Sequence, residues 1–267
     1  MFSILSPGPV RLLGVATAGI ALSPGGWAQG LNLSIFQRYQ SLDGALHQAS
    51  LEVDGRNFGR ARQLLEPCLR QIPDHFEAHF LLARIAYEGR DYDGTLAHLG
   101  IAGQSLAKLD RLYREEIAAL KALADAEQQA MQSSLDNLYA RGVDPNGCQA
   151  SLFLTKRQAL AFLEAKKGHL YDRENPFAVP ADYRFLQGNA LLRLGRREEA
   201  RVQYRAATAA DPAHANAWNN LIALSVEARD LAQARTDLGR AEAAGITVRP
   251  ALRRVVLGGE AAAGGPP

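Results

Sequence analysis

Ala181–Pro212 reads ADYRFLQGNALLRLGRREEARVQYRAATAADP, and the stretch that follows it, Ala215–Gly245, reads ANAWNNLIALSVEARDLAQARTDLGRAEAAG. At a shift of 34 residues Ala200 falls on Ala234, Tyr204 on Leu238 and Ala207 on Ala241, while Leu191 against Ser225 is a lapse. The same interval and phase return near the N-terminus, where Phe58 pairs with Tyr92, Ala61 with Thr95, Leu65 with Leu99 and Cys68 with Ala102. A fixed period of this length, carried by apolar residues at helical spacing, marks helical hairpins that cannot cover their own apolar faces and must stack. Two helices approach to about 8–10 Å only where one side chain is small. Ala61, Ala83, Gly188, Ala200 and Ala234 are therefore expected at helix crossings. Gly55, Gly89 and Gly195 each follow a predicted helix, where a left-handed cap suits glycine.

The residue types at these positions carry a resemblance. Gln187-Gly188 and Leu191 occupy a first helix, Ala200-x3-Tyr204 a second, and Pro212 closes the unit; Trp218, Leu221, Ala234 and Leu238 repeat the pattern. Upstream, Ala49, Ala61, Leu65 and Pro73 fit one unit, and Leu82-Ala83, Tyr92 and Leu99 another. This pattern resembles the tetratricopeptide repeat family over about half of the chain. The resemblance implies an all-α solenoid of helical hairpins in a right-handed superhelix, with a C-terminal capping helix over the last apolar face. It also implies a protein-binding role, with first helices lining a concave groove. By that analogy the groove residues are Glu77, Phe80, Arg84 and Tyr87, then Asp182, Phe185, Asn189 and Arg193, then Asn216, Asn219, Asn220 and Glu227. Such mixed aromatic, amide and charged groups suit an extended peptide. A carboxylate clamp like that of chaperone-adaptor members is incomplete: Asn189, Asn220 and Arg254 match, but Phe185 and Pro250 stand where the two lysines belong. The groove reading expects that reversing charge at Arg193 and replacing Asn189 and Asn220 by Ala abolishes capture of a partner without changing thermal stability.

The chain divides on composition. Residues 1–28 read as a signal peptide: Arg11, an uncharged eleven-residue run from Leu12 to Leu22, a Ser23-Pro24-Gly25-Gly26 breaker, and Gly26 and Ala28 as the small residues of a cleavage site. The run is shorter than the roughly 20 residues of a membrane span, although an uncleaved anchor stays open. The mature chain is then periplasmic or secreted, with no transmembrane span. An N-terminal repeat pair is expected over 29–107 and a C-terminal pair over 181–246, followed by a capping helix over 247–257 and a disordered tail over 258–267. The region 108–180 reads as degenerate helical repeats with an irregular connection. Leu109, Leu112, Tyr113, Ile117, Leu120 and Leu123 recur at helical spacing, which fits either a decayed repeat or one long helix to Tyr139. Thr95 and Ala200 are 105 residues apart, three periods and three residues, so the array would count about six hairpins.

The 267 residues carry 30 basic and 28 acidic side chains, a net charge of +2. No like-charge block forms a nucleic-acid arm, so no nucleic-acid partner is expected. Nucleophile elbows, phosphate-cradling loops and Cys-x-x-Cys pairs are absent from the sequence. His75 and His79 lie four apart with Glu77 between them, but Phe76 stands where a zinc-protease helix needs Glu; no metal and no cofactor are expected, and the pair reads as packing. His47, His98, His169 and His214 look isolated. Cys68 falls in the phase of Ala102 and reads as a small core residue, its pairing with Cys148 left open. The expected function is a non-enzymatic interaction scaffold of the bacterial cell envelope, one form of which is an assembly factor for an envelope complex. Its partner would be a protein or peptide segment, and self-association is left open. Two alternatives stand beside it. One is an enzyme or metal protein using 143–180, where Cys148, His169, Tyr171, Asp172 and Glu174 occur; the other is a self-associating structural subunit.

Overall fold

The computed structural model describes residues 38–39, 41–142, 158, 161 and 177–258. Residues 1–37, residue 40, residues 259–267 and most of 143–176, with Cys148, His169, Tyr171, Asp172 and Glu174, lie outside the described residues, and the expected signal peptide and the expected tail after Gly258 fall among them. All regular structure among the described residues is helical: α1 (Asp43–Asp54), α2 (Phe58–Gln71), α3 (Phe76–Glu88), α4 (Tyr92–Ala140), α5 (Ala181–Arg193), α6 (Arg197–Ala210), α7 (Ala215–Glu227), α8 (Leu231–Ala243) and α9 (Pro250–Gly258). Neighbouring helices pack in pairs, α1 on α2, α5 on α6 and α7 on α8, and α9 lies on both α7 and α8. No helix of the described residues is long and apolar enough to cross a membrane.

The 34-residue phase is the phase of burial. Ala61 and Thr95, Leu65 and Leu99, Cys68 and Ala102 are all buried, as are Ala200 and Ala234, Tyr204 and Leu238, Ala207 and Ala241. Cys68 thus fills an alanine site, and burial raises the pKa of its thiol. Gly188 makes the close approach visible: a Cβ there would stand 2.7 Å from Cε1 of Tyr204. The two polar members of the pattern are satisfied within their own helices. Thr95 Oγ1 donates to the Asp91 carbonyl at 2.7 Å, and Ser225 Oγ to that of Leu221 at 3.3 Å. Val256 of α9 is fully buried in the C-terminal core with Leu238 and Ala241, which is the work expected of a capping helix.

The chain forms two compact units. The first holds the described residues through Leu106 and from Ala178 onward; the second holds those from Ala107 to Phe177. Instead of ending with its hairpin, α4 runs unbroken for 49 residues and contributes to both. Within the second unit Tyr113 packs edge-on against Phe177 at 5.8 Å. Within the first, α5 packs directly on α3, Phe80 stacks on Tyr183 at 6.4 Å, the Tyr183 hydroxyl donates to the Leu99 carbonyl, and Leu96 packs into the C-terminal core. Among the described residues the hairpins of the first unit are four, α1–α2, α3 with the start of α4, α5–α6 and α7–α8. Thr95 and Ala200 become equivalent positions of successive hairpins, and the 105 residues between them are one period plus the 71 residues of 107–177.

The turns correct another expectation. Gly55 and Gly89 have φ of −76° and −75°; the left-handed residues are their successors, Arg56 (φ 61°) and Arg90 (φ 62°), matched by Gly195 (φ 78°) and Arg229 (φ 58°). Each is followed by the same closing bond, from the amide of Asn57, Asp91, Arg196 or Asp230 to a carbonyl five residues back. The turn geometry repeats at the 34-residue interval whether or not glycine is present. It is imposed by the packing of the two helices, against the steric preference of arginine.

Candidate functional site

The expected groove residues sort by how they are already engaged. Phe80 is buried under the stacked Tyr183 ring. Asn189 is buried too, its Oδ1 accepting from the Tyr204 hydroxyl at 2.7 Å and from Asn220 Nδ2 at 3.2 Å. Desolvation raises the pKa of Tyr204, so the phenol stays a donor. Asn219 donates to the Ala215 carbonyl at 2.8 Å and accepts the Arg249 amide at 2.9 Å, fixing the chain where it enters α9. Phe80, Asn189 and Asn219 are thus interior residues and not groove residues. The Asn189–Asn220 contact closes an internal network and leaves no free pair of amides for a carboxylate clamp. Replacing Asn189 and Asn220 by Ala would take the acceptor from a buried phenol, so thermal stability should fall and not stay unchanged.

A second group is tied to neighbouring hairpins. Arg84 Nη2 lies 2.6 Å from Asp54 Oδ1, joining α3 to the end of α1. Asp182 Oδ1 lies 3.2 Å from His214 Nε2, whose Nδ1 accepts the Ala217 amide at 3.1 Å and so caps α7. Glu227 reaches Arg197 at 3.6 Å on an exposed rim. These are positioning contacts, and the exposed pair contributes at most about 1 kcal/mol.

What remains is smaller. Phe185 is half-buried between the rings of His214 (4.8 Å) and Tyr204 (5.9 Å). Arg193 is exposed at the end of α5, and the nearby Tyr87, the largest influence on its guanidinium, raises its pKa. Tyr87 in turn meets Tyr92 edge-on at 5.5 Å. This set joins the first helices of successive hairpins, α3 and α5. Asn216, on the first turn of α7, is half-buried. Glu77 is partly buried, and burial with the nearby Asp43 carboxylate pushes its pKa up to about 7.

The histidines are less isolated than the sequence suggests. His79 is the structural equivalent of Trp218: His79 Nε2 lies 2.8 Å from the Pro73 carbonyl, and Trp218 Nε1 donates to the Pro212 carbonyl at 2.9 Å. The packing reading of His79 holds. His75 stacks on Tyr39 at 4.4 Å, with both ring nitrogens buried and unpartnered. His98, which the sequence leaves without a role, faces His79 across the hairpin. The only signal for that contact is the helical-hairpin register, which brings position 98 back against position 79. Among the described residues no group of three or more His, Cys, Asp or Glu is placed to hold a metal ion.

The family model of the tetratricopeptide repeat matches residues 46–115 and 185–247, the two stretches that build the stacked hairpins. The chain is a tetratricopeptide repeat protein. The first matched segment ends in α4 and the second begins in α5, so most of 107–177 lies between the two matches. No curated protein matches the chain. Repeats of this family serve protein–protein interaction, and this chain is an interaction scaffold in that general sense; such scaffolds are typically non-enzymatic.

Proposed function

We propose that this tetratricopeptide repeat protein is a non-enzymatic scaffold of the cell envelope that holds a segment of a partner protein along the first helices α3, α5 and α7. Tyr87 and Arg193 carry the reading. They are not consumed by the core, Tyr87 on one first helix is the largest influence on the Arg193 guanidinium on the next, and Tyr and Arg are the side chains that most often dominate binding energy at interfaces. Phe185 and Asn216 extend the same set along α5 and α7. The partner segment would be extended and would offer a carboxylate or main-chain carbonyls to Arg193 and an apolar side chain to Tyr87. The leader-like residues 1–28 support export, and with it an envelope location and an assembly role.

A photo-crosslinking residue placed at Arg193, with a second placed at the exposed Val202 of α6, tests the face in living cells. The reading expects a discrete protein adduct from position 193, absent from position 202 and lost when Tyr87→Ala is added. Equal labelling from both positions would remove it. A fusion of residues 1–28 to a reporter active only in an oxidising compartment tests location separately, and an inactive fusion would sink the envelope assignment.

A further inference from the structure

The α3–α4 hairpin brings His79 and His98 together with their Nδ1 atoms 3.0 Å apart and ring centroids 5.3 Å apart. The outer nitrogen of His79, Nε2, is 2.8 Å from the Pro73 carbonyl oxygen. A carbonyl only accepts, so this nitrogen carries the proton and the neutral ring keeps its lone pair on Nδ1. The proton between the rings must then belong to His98 Nδ1. Two nitrogens bound to one ion at about 2.0–2.1 Å each stand roughly 3–3.4 Å apart. The two rings already have that spacing, and the outer N–H of His79 is held by a backbone carbonyl, as is usual for ligating histidines.

We propose that His79 and His98 form a two-imidazole site for a divalent transition-metal ion of the zinc, nickel or copper class, clamping α3 to the start of α4. Binding is an exchange without electron transfer. The proton on His98 Nδ1 passes through solvent to Nε2 of the same ring, both Nδ1 lone pairs bind the ion, and the ion releases two waters. The proton stays on the His98 ring as it changes nitrogen, so the exchange itself releases none. The surroundings are mixed: Asp91 attracts and Arg62 repels positive charge at His98, and His75 acts on His79 from the other side. His98 is partly exposed and gives the ion access. Since no third protein ligand converges among the described residues, water completes the coordination shell. Affinity should then follow the imidazole order, nickel above zinc and copper above both. This site is independent of the peptide-binding face proposed above.

Titration of the full, tag-free chain with NiCl2 and with ZnCl2 at pH 7.5 tests the proposal by calorimetry. One ion per chain should bind in the wild type and in His47→Ala, whose histidine is exposed elsewhere, and at least tenfold more weakly in His98→Ala. A hundred-fold excess of metal over the dissociation constant should raise Tm by about 5 °C in the wild type and not in His98→Ala. Unchanged binding in His98→Ala, or no binding in the wild type, overturns the site. A second measurement does not depend on the variant folding. Long-range 1H–15N spectra of the wild-type imidazoles should show the His98 proton on Nδ1 before Zn2+ addition and on Nε2 after it; an unmoved proton overturns the proposal.

Discussion

Two hairpins 139 residues apart solve the same packing problem with different rings. Pro73, His75 and His79 open the second hairpin; Pro212, His214 and Trp218 occupy the equivalent places in the fourth. His79 and Trp218 are each 7% exposed and each sends a ring nitrogen to the carbonyl of the preceding proline. The tryptophan spends its one polar atom there and contributes the rest of its surface to the core. The histidine has a nitrogen left over, which His98 takes up. At the helix cap the balance is reversed within the same comparison. His214 uses both nitrogens, on Ala217 and Asp182, whereas His75 is equally committed to its place but leaves both without partners. Equal positions in a repeat fix backbone contacts, and the side chain decides whether polar capacity remains for something else.

The largest expected effect separates the two rings. Trp218→Ala should cost about 3–5 kcal/mol as a cavity opens in the C-terminal core, and His79→Ala about 1–3 kcal/mol, read from urea denaturation midpoints at one pH. Equal losses would mean that the rings do equivalent work.

Acid should then distinguish the caps. Burial lowers the pKa of His75 to about 4 from 6.5, so its contribution is complete above pH 6.5 and is lost as pH falls toward 4, by about 3 kcal/mol in all. His75→Phe keeps the stack on Tyr39 and should flatten that part of the stability profile between pH 6.5 and 4. A profile that stays as steep as the wild type would show that the acid sensitivity lies elsewhere.

Smaller effects probe the crossings and turns. Gly188→Ala should destabilise by about 1–3 kcal/mol because the methyl meets the Tyr204 ring; on helix propensity alone it would stabilise, so the sign decides. Arg90→Gly should stabilise by about 0.5–1 kcal/mol, since a left-handed φ costs glycine little, while the same change at a right-handed neighbour should not.

Much of the array is legible in the sequence because its determinants are local. Ala61, Ala200 and Ala234 are readable as crossings, since a 34-residue interval and a small side chain are both visible in one dimension. The fate of Phe80 is not. Its cover is Tyr183, 103 residues downstream, and the two meet only because 107–177 forms a unit of its own. A separation of 105 residues is close to three periods by coincidence, and arithmetic cannot tell three repeats from one repeat and an insertion. Asn219 is hidden for a similar reason: the Arg249 amide that occupies it arrives from beyond the last hairpin. For Arg56 and Arg90 the sequence points to the neighbouring glycine, because propensity ranks residues one at a time and the turn is set by both helices at once.

The interruption also imposes a delay. After Leu106 leaves the ribosome, the 74 residues of 107–180 must be added before α5 can begin to emerge, which at roughly 5–20 residues per second takes about 4–15 s. Throughout that interval the side of the second hairpin bearing Phe80 and Leu96 waits uncovered for Tyr183 and the C-terminal core. An uninterrupted array would close the same gap within a second or two of synthesis, so the nascent chain is most exposed to wrong partners while it is being built through its own inserted unit.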